Sequence, residues 1–80
     1  MNFKIIETES QFPDVLLYRD RDSNGTELVN ILAIGTLEDS DDSFASETAS
    51  FDSHESAIDF IRYYTKHSAN SFCKRQGIKF

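Results

Sequence analysis

Two histidines, one cysteine and a cluster of carboxylates are the groups that chemistry would use in this 80-residue chain. A nucleophilic thiol needs an imidazole within hydrogen-bond reach. His67 and Cys73 stand six residues apart, which sets them about 120° apart around a helix, so they do not meet. His54 falls near the start of the predicted helix, where the dipole disfavours an imidazolium. Cys73 reads instead as a half-buried packing residue under Ile78. Serines are abundant, but no G-x-S-x-G elbow accompanies them. The three isolated glycines form neither a P-loop nor a G-x-G-x-x-G turn. These residues predict a protein that is not an enzyme and uses no cofactor.

The carboxylates are sorted by position. From Glu38 to Asp59 there are eight acids and no Lys or Arg, and from Phe60 to Phe80 there are five bases and no acid. Glu38, Asp39, Asp41, Asp42, Glu47, Asp52 and Glu55 do not fit a calcium loop, because no D-x-D-x-D-G with a twelfth-position Glu is present. No metal site is therefore expected. A second reading is mimicry of nucleic-acid phosphates, with the carboxylates occupying a basic groove on a partner. The plainer reading is a solvated loop followed by acids favourably placed near a helix N-terminus.

The bases Arg62, Lys66, Lys74 and Arg75 admit a nucleic-acid contact, but the dense basic runs and stacking motif of an RNA-binding sheet are missing. Cations in the last turn of a helix account for Lys74 and Arg75. On the predicted helix, Asp59, Tyr63, Lys66, Asn70 and Lys74 cluster opposite the apolar stripe. Tyr63 places an aromatic ring where the helix should meet water, as an interface anchor would. An ordinary exposed Tyr, with Arg62 paired to Asp59 at i, i+3, is the plainer alternative.

The length bounds the chain to a single domain, residues 1–80, with one small core. Seven Phe and three Tyr supply it. The formal charge of −6 disfavours non-specific contact with nucleic acid or an anionic membrane. A single cysteine excludes an internal disulfide and fits a reducing compartment. MNFKIIETES lacks a signal peptide's apolar stretch, and no run approaches a membrane span. The expected location is the cytoplasm, that of a host if the chain is phage-encoded.

Elements must position these groups. Phe3 to Thr8 reads as a first strand, rich in β-branched and aromatic residues. Pro13 suits the start of a strand or an edge, and Asp14 to Arg19 forms the second. Asn24-Gly25 predicts a hairpin with a type I′ turn. Glu27 to Leu37 is the third strand, apolar on both faces over Leu32-Ala33-Ile34 and so central. Phe44 to Phe51 is the weakest strand, since Ala, Ser and Glu are poor strand formers. A helix then runs over roughly 53–76, about 35 Å long, capped by Asp52 with Glu55 or by Ser53. Ala57, Phe60, Ile61, Tyr64, Ser68 and Phe72 form its apolar stripe. Gly77 ends it in the left-handed conformation, and His67 to Ser71 is a poor helix former where it would kink or break. The fold class is α+β: an antiparallel sheet of three or four strands with one long C-terminal helix packed on one face.

The layout resembles that of small phage-encoded anti-CRISPR proteins, the type I-F inhibitors. The shared features are the Met1-Asn2-Phe3-Lys4 start, a strand ending in Tyr18 before Asn24-Gly25, a long third strand, and Phe51-Asp52-Ser53 leading into an amphipathic helix. The resemblance covers roughly residues 1–66. The acidic 38–43 segment and the long basic-ended helix depart from the pattern, so no functional residue is carried over. It implies a stoichiometric inhibitor that occludes a nucleic-acid-binding surface on a bacterial defence complex. The expected function is a small acidic protein-binding module contacting a basic partner surface through Glu38, Asp39, Asp41, Asp42, Tyr63 and Lys66. The alternatives are a small regulator touching nucleic acid through the basic helix, and a structural or assembly subunit.

Overall fold

A computed structural model describes residues 3–34 and 46–77. Four strands, β1 (Phe3–Ile6), β2 (Asp14–Arg21), β3 (Glu27–Ile34) and β4 (Ser46–Phe51), form one antiparallel sheet in the order β1-β2-β3-β4. Two helices follow, α1 (His54–Tyr63) and α2 (Lys66–Arg75). The class is α+β as expected, and residues 46–51 do form a strand.

Alternation decides which side of the sheet each residue faces. Val15 pairs with Ala33, Leu17 with Ile31, and Arg19 with Val29. These odd-numbered positions of β2 and β3 turn toward the helices, and Val15, Leu17 and Val29 are fully buried there. Ile6, Ala57, Ile61, Ala69, Phe72 and Cys73 complete the core, with Phe12, Phe51, Phe60 and Tyr64 packed around it. β3 lies between β2 and β4, the central place its apolar run predicts.

The single long helix is not formed. Two ten-residue helices replace it, divided at Tyr64 and Thr65. Both residues have extended backbones, and the Thr65 side chain accepts from the Ser68 amide at 3.2 Å as the cap of α2. The β-branched Thr gives up little helix propensity at this position and gains a capping bond. The weak stretch from His67 to Ser71 is helical instead. The break also resets the phase of the apolar stripe. Ala69, Phe72 and Cys73, spaced i, i+3, i+4, are the buried residues of α2, while Ser68 is only half-buried. At α1, Ser53 rather than Asp52 is the cap, accepting from the Ser56 amide at 3.1 Å. Gly77 has the expected left-handed backbone, φ 70°.

The hairpin is where Asn24-Gly25 predicts it, but its turn type differs. Gly25 has φ 81°, and among the described residues no non-glycine has positive φ, so Asn24 cannot occupy a type I′ turn. The Gly25 amide donates to the Asp22 carbonyl at 3.0 Å. Asp22 Oδ1 accepts from the Asn24 and Thr26 amides, both at 2.9 Å. An Asp at the first position of a type I turn followed by a left-handed Gly accounts for this geometry.

Candidate functional site

Glu38, Asp39, Asp41 and Asp42 lie outside the described residues. The remaining two predicted contact residues flank the helix break. Tyr63 ends α1 with 70 % of its surface exposed, and Lys66, also exposed, begins α2. Asp59 lies one turn before Tyr63 and faces Arg62 at 3.6 Å, the i, i+3 pair expected. The predicted outer stripe does not continue to Asn70. That residue is half-buried, and its Oδ1 accepts the Glu9 amide at 3.0 Å while its Nδ2 donates to Glu9 Oε1 at 3.3 Å. Turning α2 by the capped break carries Asn70 inward, where it clamps the helix to the loop between β1 and β2.

That loop is itself stapled. Thr8, buried, donates its hydroxyl to the Pro13 carbonyl at 2.7 Å. Lys4 provides the second tie between sheet and helices. Its Nζ donates to the carbonyls of Arg62 and Tyr64, both at 3.1 Å, so an ammonium caps the carbonyl end of α1. A cavity of about 150 Å³ beside it is lined by Lys4, Ile58, Ile61 and Arg62. Its cations are already committed, Lys4 to backbone carbonyls and Arg62 to Asp59.

The titratable groups that come together are not those the sequence suggests. Glu27, only 7 % exposed on β3, accepts from Arg21 Nε at 2.7 Å and Arg19 Nε at 3.3 Å. His54 Nδ1 lies 3.6 Å from the same carboxylate. The Arg21 hydrogen bond holds the Glu27 carboxyl below the usual carboxylate range, against the opposing effect of burial. His54 thus has a carboxylate beside it at the helix start, which the dipole argument alone overlooks. The pattern was visible only in register: Arg19, Arg21 and Glu27 fall on one face once Arg21 pairs with Glu27 across the hairpin.

Cys73 is fully buried rather than half-buried, and burial pushes its thiol up. His67 is exposed, so the two do not form a nucleophilic pair. Among the described residues, no group of three His, Cys, Asp or Glu is placed to hold a metal ion. No helix among them is long and apolar enough to cross a membrane.

The sheet's other face is mostly apolar. It presents Phe3 and Ile5 from β1, Leu16 and Tyr18 from β2, and Leu28, Asn30, Leu32 and Ile34 from β3. Ser46, Thr48 and Ser50 continue it on β4. Phe3 and Ile5 are 58 % and 53 % exposed. Among the described residues, charges on this face occur only on β2, at Asp14 and Asp20 near its two ends. The polar pair within it is already bonded, Thr48 Oγ1 donating to Asn30 Oδ1 at 2.7 Å. The strand alternation carries the signal: β3 is apolar at odd and even positions alike, whereas a sheet with one wet face alternates apolar with polar.

Comparison with protein-family models, curated proteins and solved structures finds no match to this chain.

Proposed function

We propose that this chain is a stoichiometric protein-binding module. The observation that carries the reading is the open face of the sheet, apolar across β1 to β3 with charge only at the two ends of β2, and with Phe3 and Ile5 more than half exposed. A contiguous apolar face rimmed by polar residues is a protein-interaction surface, since leaving it in water forfeits about 25 cal/mol per Å². The acid-rich stretch from Glu38 to Asp42 follows β3 in sequence and supports a further contact, with a basic surface on a target, which carboxylates would steer and select. Tyr63 and Lys66 add an exposed aromatic and a cation at the helix break. An inhibitor covering a basic nucleic-acid-binding surface, the role implied by the anti-CRISPR resemblance, is the form this takes when that surface otherwise holds nucleic acid.

The test places a photo-crosslinking phenylalanine at Ile5 and at Leu28, with the hairpin residue Asp22 as control, in the full chain expressed in cells. The expected result is an intermolecular adduct from positions 5 and 28 and none from 22. The adduct partner, purified, should bind at a fixed stoichiometry that Leu28→Lys weakens at least about tenfold. Chains that yield only intramolecular adducts would overturn the reading. For the basic target, neutralising Asp39, Asp41 and Asp42 together should slow association and flatten its salt dependence. Unchanged affinity and salt dependence would remove the acidic stretch from the contact.

A further inference from the structure

Resting on the protein-binding reading, we infer that the occupant of the open sheet face is a second copy of this chain, stacked sheet on sheet about a two-fold axis. Three features favour a copy over another partner. First, the face has no charge in its centre, whereas the chain carries −6. Two like-charged copies repel wherever their charged surfaces meet, and the uncharged centre of this face lets them approach with only Asp14 and Asp20, at the two ends of β2, carrying charge at its margin. Second, a two-fold interface must be self-complementary. Phe3, Ile5, Leu16, Leu28 and Leu32 meet the same set on the partner without any need for matching donors or opposite charges. Thr48 has its partner within the same face, so burying its hydroxyl leaves it satisfied.

Third, the size is right. Strands of four, eight, eight and six residues, about 3.3 Å per residue and about 4.8 Å apart, make a face of roughly 400 Å² in projection. The relief of its side chains brings the buried surface toward the roughly 600 Å² per partner at the lower end of standard interfaces. Stacked about 10 Å apart, the two sheets form the core of a sandwich whose outer layers are the helices. Each copy's apolar sheet is then covered on both sides, which the helices alone do not accomplish.

The test is sedimentation equilibrium on the wild-type chain from low to several hundred micromolar, at low and high salt. The expected result is a species of twice the 9.1 kDa chain mass, undiminished at high salt because its interface contains no attractive ion pair for salt to screen. A mixed sample of isotope-labelled and unlabelled chains should show intermolecular contacts between the Leu16, Leu28 and Leu32 methyls and the Phe3 and Tyr18 rings. Leu28→Lys should shift the equilibrium toward monomer about a hundredfold, and Tyr63→Lys, on the helix side, should leave it unchanged, both with the wild-type circular dichroism spectrum. The wild-type chain needs no variant to decide the matter if Leu28→Lys fails to fold. A monomer at every concentration, or contacts to this face only from residues 35–45 of the same chain, overturns the dimer. Crosslinks from Ile5 and Leu28 to a different protein overturn the dimer while leaving the module reading standing. A monomer with no intermolecular crosslinks removes both.

Discussion

Lys4 holds Tyr64 across sixty residues of sequence: its ammonium donates to the Tyr64 carbonyl at 3.1 Å and to the Arg62 carbonyl at the same distance. A strand residue thereby terminates a helix. The carbonyls at a helix end lack partners within it, and a cation there also meets the negative end of the dipole. Lys4→Met keeps the apolar stem and removes the donor. It should lower unfolding free energy by about 1 kcal/mol in urea titration, below the roughly 1.5–3 kcal/mol of hydrogen bonds to charged groups because Lys4 is partly exposed. Amide exchange should quicken from Tyr63 through Ser68 more than in β2 or β3. Uniform exchange at every site would mean that Lys4 does not set the break.

Thr65 supplies the other half of the break. Its hydroxyl accepts from the Ser68 amide, and α2 has no acidic residue in its first turn to help. Thr65→Ala should cost about 1 kcal/mol, a typical loss for an N-cap. Ser53→Ala should cost a similar amount at α1, where Glu55 lies in the first turn. Fusion into one helix is not expected in Thr65→Ala, because Asn70 stays clamped to Glu9. A rise in helical circular dichroism in this variant would contradict that expectation.

The sequence reports local features well here and tertiary ones poorly. The strands, the hairpin position, the Gly77 stop and the capped start at Ser53 all follow from residues acting on their neighbours. The helix break does not, because Tyr63-Tyr64-Thr65 is compatible with helix until Lys4 and the Glu9–Asn70 clamp act from sixty or so residues away. Extending the apolar stripe through Tyr64 to Ser68 therefore carried the wrong phase into α2, and put Asn70 outside. The type I′ turn fails for a related reason: Asp22 offers the turn a side-chain acceptor that the Asn-Gly pair alone does not reveal. Of the predicted contact residues, Tyr63 and Lys66 are on the surface as expected. The open apolar face was written in the double-sided apolarity of β3, and became legible as a surface only when the register put Phe3, Ile5, Leu16 and Tyr18 on the same side.

Cys73 should report the opening of the core. It is buried in the core with Phe72 and Ala69, and burial pushes its thiol above the ordinary range, which lowers its thiolate fraction. Reaction with a thiol reagent at pH 8 should be at least about a thousandfold slower in the native protein than in concentrated urea, as opening a core residue approaches the global unfolding free energy. The rate should rise with urea along the unfolding curve. Rapid native labelling would show that the α2 side of the core opens locally.

Glu27 gives the fold a defined acid limb. Its carboxyl is lowered by the Arg21 hydrogen bond first, with further pull from the charges of Arg21 and Arg19, and burial opposes them. The folded state therefore prefers the ionised form more strongly than the unfolded chain does. The resulting stabilisation is complete above the unfolded glutamate pKa of about 4.3 and is lost as pH falls through the lower folded value. Glu27→Gln removes this contribution and leaves Arg19 and Arg21 without their shared carboxylate. Its urea midpoint should fall at pH 7, and the wild-type advantage should shrink as both proteins are taken below pH 4. His54→Ala should remove less at pH 7, since His54 lies 3.6 Å from Glu27 and about half its side chain is exposed. Equal pH profiles for wild type and Glu27→Gln would show that the cluster contributes no ionisation-linked stability.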